Sequence, residues 1–315
     1  MALEPLFSFC ISTFKRPHLL KQQVTSLLSQ TYTKIEIVIC DNDSSSNETK
    51  TMLESFGDDR IRYYQNETNL GMIKSFNRAL DLANGLYVTP VTDDDPIVSN
   101  FIDEIKKLID QFPDYGLYAG FLRSNKTPYQ IEVIEKNKFI NEFLDWNKTI
   151  SILWSSCTFR KECLIEIGKI PDFGSPHLAD HGLIALVGNR YGGVITNKMF
   201  SEYIQHKDNF SKGNLEMYFI GCKGFYETMS QHAFEYPGSK ETVIAHLQKW
   251  FISLFFYLKK YYTYSNPSID KIKVVDKEIK KILALDFMKS IIPKYYFKNT
   301  ILKIKGTLGL IKKYE

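Results

Sequence analysis

Apolar positions follow two rhythms along the first third of the chain. Residues 7–12 (FSFCIS) read as a buried strand, and Ile35, Ile37, Val38 and Ile39 form a second, β-branched strand that ends at Asp41. Between them the period becomes helical. Leu20, Val24, Leu27 and Leu28 recur at three- and four-residue spacing behind Pro17, whose missing N–H costs nothing in a first turn. The polar loop 41–49 (DNDSSSNET) predicts a cap and a short helix over 51–56, and residues 61–64 a third strand. Ile73, Phe76, Leu80 and Ala83 mark one face of the next helix. Residues 86–91 read as a fourth strand, and Ser99 is placed to cap a helix with Phe101, Ile105 and Leu108 inward, stopped by Pro113.

This β-α-β-α-β series predicts an α/β fold, a mostly parallel sheet with helices on both faces. Ligands of such sheets bind beyond the C-terminal ends of the strands. Three polar clusters fall there, at 13–16, 41–43 and 93–95. No GxGxxG follows the first strand, so a dinucleotide site is not expected. Beyond Tyr115 the pattern loosens. Residues 155–168 (SSCTFRKECLIEIG) read as strand, turn and short helix, and 168–177 (GKIPDFGSPH) as a loop over a site. From Glu241 the chain is helical and lysine-rich. The organisation expected is 1–115 as one half of a domain, 116–239 as its second half, and 240–315 as a basic helical extension.

Composition adds limits. The 315 residues suffice for a sizeable core, and 44% hydrophobic with 24% charged residues is ordinary for a soluble globular protein. The net charge of +4 is unevenly spread. From Lys240 onward 16 lysines stand against 6 acids, while the preceding part carries 24 basic and 30 acidic residues. That split argues for two kinds of partner and against nucleic acid. Five cysteines without a CxxC pair point to a reducing compartment, with neither a disulfide framework nor a zinc site. The N-terminus carries Glu4 and Pro5 and no basic leader, and the apolar run from Trp250 is too short for a bilayer, so a cytoplasmic protein is expected.

The stretch 91–96 (VTDDDP) carries the sharpest chemistry. Asp93, Asp94 and Asp95 repel one another and call for a counter-charge. Carboxylates at a strand end suit Mg²⁺ or Mn²⁺, often shared with nucleotide phosphates. A solvated turn ahead of a helix is the plainer alternative.

With these residues in view, the chain resembles the family 2 glycosyltransferases of GT-A fold, whose core is a Rossmann-like, mostly parallel sheet. The carriers are the opening 7–49, with Thr-x-x-Arg at 13–16 and Asp-Asn-Asp-Ser at 41–44, then 69–80 (NLGMIKSFNRAL), the acidic triplet as a DXD motif, and 155–168 as the start of the acceptor half. The resemblance covers about the first 215 residues. It implies a metal-dependent, inverting transfer of a sugar from a nucleotide-sugar donor, UDP-linked, to a glycan or lipid-linked acceptor in bacterial surface-polysaccharide synthesis. It implies that Thr13 and Phe14 line the nucleoside pocket with Arg16 nearby, that Asp41 accepts from the base with Asp43 close to it, and that Gly71, Lys74 and Asn77 lie near base, ribose or diphosphate. The triplet is open in register. Asp93 would meet the ribose or a metal-bound water and Asp95 the metal, or Asp94 would be the ligand with Thr92 in the place of the first acid. In 175–188 (SPHLADHGLIALVG) Asp180 stands where the family has its general base, with Ala179 replacing the usual acid before it; helix capping is the alternative. His177 and His181 read as acceptor-pocket or loop residues. His206, in 203–213 (YIQHKDNFSKG), resembles the family histidine that reaches metal or diphosphate.

Trp146, Trp154 and Tyr191 read as apolar packing before they read as sugar platforms. Two rivals have distinct signatures. A sugar-1-phosphate nucleotidyltransferase needs a Gly-rich basic loop after the first strand, and 12–18 (STFKRPH) has no glycine. A non-catalytic carbohydrate-binding protein of the same fold is the rival that the missing acid at Ala179 keeps open. The tail 289–315 interleaves lysines with Ile, Leu and aromatics, the composition of a helix lying on the anionic inner face of a membrane.

Overall fold

The computed structural model describes residues 4–121, 130–146, 152, 154–201, 214–307 and 309. The strands among them are β1 (Phe7–Thr13), β2 (Ile35–Asp41), β3 (Ile61–Gln65), β4 (Tyr87–Val91), β5 (Leu117–Phe121), β6 (Ile131–Ile134), β7 (Cys157–Arg160) and β8 (Gly193–Met199). They form one sheet in the order β3-β2-β1-β4-β7-β5-β8-β6. The pairs β1/β2, β1/β4, β2/β3 and β5/β8 are parallel; β7 runs antiparallel to both β4 and β5, and β6 to β8. The expected α/β class with a mostly parallel sheet is therefore what the chain adopts.

The unbroken apolar runs of β1 and β2 follow from cover on both faces. Phe7, Phe9, Ile11, Ile35, Ile37 and Ile39 pack with Leu20, Val24 and Leu27 of helix α1 (Pro17–Leu28) and Phe101, Ile105 and Leu108 of α4 (Phe101–Gln111). The alternate residues turn to α3 (Met72–Leu82), where the Cys10 thiol donates to Ala79 O and Ser75 Oγ to Cys40 O. Helix α2 (Glu48–Glu54) starts earlier than its apolar residues suggest. The Ser99 cap does not form: the capping position is Asn100, whose side chain makes no cap bond, and Ser99 O instead accepts from Thr31. Asp103 and Glu104 serve the positive end of α4 in its place.

In the second half α5 (Phe139–Phe143) precedes a turn at Trp154–Ser156, and β7 runs into α6 (Lys161–Glu166) without the expected intervening turn. Helix α7 (Ala179–Tyr191) leads to β8. The lysine-rich part is helical as expected, with α8 (Tyr218–His232), α9 (Ser239–Lys260), α10 (Ile269–Leu283) and α11 (Ile292–Thr307). Contacts divide the chain into two compact units. The first is Met1–Phe143, Lys148–Asp172 and Ala179–Gln205; the second is Leu144–Asn147, Phe173–Leu178 and His206–Glu315. The second has its own core, with Cys222, Phe225, Met229, Leu247, Phe251 and Phe255 buried. All five cysteines are free and buried. Among the described residues no helix is long and apolar enough to cross a membrane.

Candidate active site

The parallel register places Thr13 beside Asp41, so β1, β2 and β4 deliver their polar clusters to one edge of the sheet. The counter-charge of the acidic triplet comes from the β1 loop. Arg16 Nη2 lies 2.6 Å from Asp93 Oδ1 and Nη1 lies 3.2 Å from Asp94 Oδ2. Thr13 Oγ1 donates to Asp93 Oδ2 at 2.8 Å. Asp93 is fully buried, and its Oδ1, though close to Arg16, has no aligned hydrogen bond. Burial pushes its carboxyl up to about 6; Arg16 opposes this and the Asp94 charge adds to it. Asp95 is engaged differently. It is buried and accepts from Thr92 Oγ1 at 2.7 Å, with Ser155 Oγ at 3.5 Å.

At the end of β2, Asp41 is fully buried and accepts from Asp43 N at 2.9 Å and Tyr63 OH at 3.1 Å. Asp43 accepts from Ser45 N and Oγ, bonds that hold its carboxyl below the usual range. Gln65 pins the loop through Asp43 O and Ser46 O. Asn42, which the sequence reading passed over, joins the clusters: its Oδ1 accepts from Asn66 and Leu70 N, and its Nδ2 reaches Ser12 Oγ and Gly71 O. Gly71 takes φ +79°, a conformation that suits glycine, and opens α3 with Lys74 exposed in its first turn.

Two further expected site residues make other contacts in the structure. Asn77 uses both ends of its amide on the backbone of Ile170, 2.9 and 3.0 Å, tying α3 to the loop after α6. Phe14 is 41% exposed beneath the Lys15 ammonium, and Lys15 itself has φ +58°. His206 lies outside the described residues.

Asp180 is the second residue of α7, half-buried, and accepts from His181 N at 2.8 Å. Its charge adds to the burial that raises the Cys157 thiol well above normal. Cys157 opens β7. Because β7 is antiparallel to β4, that end lies at the C-terminal end of β4, and Ser155 reaches Thr92 N there. Asp180 and the triplet thus share one edge of the sheet. Nothing local pairs Thr92 with Ser155; only the strand order joins them. Ala179 is buried, so the position of the missing acid is filled by apolar packing.

Among the described residues no three His, Cys, Asp or Glu converge to hold a metal by themselves. Two adjacent carboxylates with an oxygen-only donor set fit a hard cation that takes its other ligands from phosphates and water. Of the aromatic residues, Trp154 is buried against Phe76 and Tyr191 bonds Glu166, whereas Trp146 is 41% exposed, contrary to the packing expected of it.

The profile described as Glycosyl transferase family 2 matches residues 8–168. WcaA of Escherichia coli (strain K12), named for colanic acid biosynthesis, is 26% identical over 243 residues, 68% of this chain and 86% of that protein. The Escherichia coli protein WfgD, a UDP-Glc:alpha-D-GlcNAc-diphosphoundecaprenol beta-1,3-glucosyltransferase, is 27% identical over 48% of this chain and 56% of its own length. In three dimensions the chain is similar to Staphylococcus aureus TarS 1–349 in complex with UDP-GlcNAc, with TM-score 0.64 and 14% identity over 98% of this chain and 94% of the other. It is also similar to the mannosyltransferase PcManGT of Pyrobaculum calidifontis in complex with GDP-Man and Mn²⁺, with TM-score 0.56 and 12% identity over 96% and 87%. At such identities the likeness is one of fold.

Proposed function

The chain belongs to glycosyl transferase family 2 and has the GT-A fold, and from that premise we propose that it transfers a sugar from a UDP-linked donor to a glycan or lipid-linked acceptor, with inversion at the anomeric carbon. The observation that carries this reading is the buried Asp93 held between Thr13 and Arg16, with Asp94 beside it, at the end of β4. The donor nucleoside lies against the ends of β1 and β2. Asp41 and Asp43 orient the base, while the first turn of α3, with Gly71 and Lys74, faces the diphosphate with a helix N-terminus and a cation. Asp94, the member of the triplet that is not buried, would hold Mn²⁺ or Mg²⁺, which would neutralise charge on the departing nucleoside diphosphate. Asp95 braces the turn through Thr92. Arg16 is the resident cation that keeps the acids together. Asp180 removes the acceptor hydroxyl proton as that oxygen attacks the anomeric carbon from the face opposite the leaving group.

A panel of nucleotide sugars tested by calorimetry with and without Mn²⁺ checks this reading. UDP-sugars are expected to bind only with metal, and Asp94→Ala to lose that binding. Asp180→Asn should bind donor normally and lose transfer. Full transfer activity in EDTA would overturn the metal role, and parent-like transfer by Asp180→Asn the base.

The acceptor places the enzyme at the cytoplasmic face of a membrane, peripherally. Helix α11 supports that. At about 100° per residue, Pro293, Phe297 and Ile304 share one edge, opposite the buried Tyr295 and Leu302. Phe297 is 68% exposed and Ile304 53%. Lys294, Lys298 and Lys305 flank that edge on one side and Lys303 on the other, so apolar side chains can enter the acyl boundary while ammonium groups meet anionic headgroups.

A further inference from the structure

The second compact unit holds a cavity of its own. Trp146 lines a cavity of about 320 Å³ with Asp145, Glu241, Thr242, His246 and Lys249. That volume is at the small end of the ~300–1,000 Å³ of ligand pockets. Exposed indoles are ordinarily mobile at a surface, but this one is fixed. Trp146 Nε1 donates to His246 Nδ1 at 2.8 Å, and His246 is itself buried, stacked on Phe225 and near Leu144 O. The same Nδ1 lies 3.2 Å from Leu144 O, so the imidazole is held between the indole and the backbone. Lys249 Nζ lies 3.4 Å from Trp146 O and 5.2 Å from the ring centroid.

We propose that this pocket binds one pyranose residue of the acceptor glycan, its C–H face on the Trp146 indole and its hydroxyls on Glu241 and Lys249. The negative face of the ring attracts positive partners, which is why an ammonium lies over it. The C–H face of a pyranose is weakly positive and takes the same place. Lys249 is exposed on a flexible stem and moves aside to donate to a ring hydroxyl, while the exposed Glu241 carboxylate accepts from another. An apolar ligand would leave these charges unused, and a purely anionic one would meet Asp145 and Glu241 on the same wall. The proposal rests on the acceptor being a glycan, and it gives the enzyme a hold on that chain separate from the reacting hydroxyl.

The test is side-chain indole NMR of the full chain, which has three tryptophans. The Trp146 resonance is assigned by its loss in Trp146→Phe. Methyl glycosides of glucose, galactose, mannose, N-acetylglucosamine and N-acetylgalactosamine are titrated to tens of millimolar. At least one is expected to shift the Trp146 resonance saturably while leaving Trp154 and Trp250 in place. Trp146→Ala should weaken that binding about tenfold or more. Glu241→Gln, on an exposed side chain that the fold does not need, should weaken it about threefold. No shift with any glycoside, or equal binding to Trp146→Ala, overturns the proposal. UDP-sugar binding is followed in the same samples, with Mg²⁺ present. Its failure with the Trp146 shift intact removes the donor reading alone, and its success without a shift removes the pocket alone.

Discussion

Asp93 and Glu36 show how the same charge serves two purposes at opposite ends of one sheet. Glu36 is buried, and burial alone would raise its carboxyl; bonds from Ser8 Oγ, Asn84 N and Arg62 outweigh that and hold it below the usual range. Asp93 receives fewer donors, so burial wins and its carboxyl rises from 3.8 to about 6. The pH signs are therefore opposite. Glu36 stabilises above its unfolded value and that contribution is lost as pH falls. Asp93 binds its proton more tightly folded than unfolded, so stability falls as pH rises from about 4 to about 6, on the order of 3 kcal/mol at 1.36 kcal/mol per unit. In EDTA, Asp93→Asn is expected to be more stable than the parent at pH 8 and to lack that slope, seen in urea titrations across pH, while losing transfer. Glu36→Gln should cost about 2–3 kcal/mol by leaving Arg62 short of its partner, with a lower Tm and unchanged donor affinity. Asp94→Ala against Asp95→Ala separates the triplet: the first should lose metal-dependent donor binding, the second chiefly stability. Sequence reading reached Asp93 because adjacent acids at a strand end need an explanation. It passed over Glu36 because its partners come from residues 8, 62 and 84, and only the strand register gathers them.

Helices α1, α3 and α4 were legible because their apolar residues repeat at helical spacing, α1 and α4 against one face of the sheet and α3 against the other. Helix α7 was legible from its apolar residues, but its fit was not. A Cβ on Gly188 would enter the ring of the fully buried Phe139, so Gly188→Ala is expected to cost about 1–3 kcal/mol in chemical denaturation, since that ring has nowhere to move. Helix α11 is the opposite case, with one edge held by Tyr295 and Leu302 and the other exposed. Phe297→Ser with Ile304→Ser should leave the Tm within about a degree and release the protein from anionic liposomes, measured by co-sedimentation. Lys294, Lys298 and Lys305 changed to Gln should do the same at lower salt, because each lysine contributes on the order of 1 kcal/mol and is screened. Retention of both variants on vesicles would remove the membrane from the account.

Across the whole chain, the acidic body and the basic C-terminal part were evident from residue counts, and the four strands β1 to β4 of a mostly parallel sheet from alternating periods, though not their order. The other half was not, because β7 enters between β4 and β5 against the direction of β4, a pairing that no local pattern signals. That insertion has a consequence for synthesis. Strand β4 is complete at Val91, yet its neighbour on one side arrives only with Cys157–Arg160. At about 5–20 residues per second the ribosome leaves that edge open for roughly 3–15 s, with unpaired N–H and C=O groups beside apolar Tyr87 and Val88. A fragment ending at Tyr115 keeps the edge open permanently and should self-associate in light scattering, where a fragment carried through β8 should not. The nascent chain thus passes through an interval in which its own β4 is the most adhesive surface it presents, and a holdase that masks extended edges would raise the yield of the full chain by covering that interval.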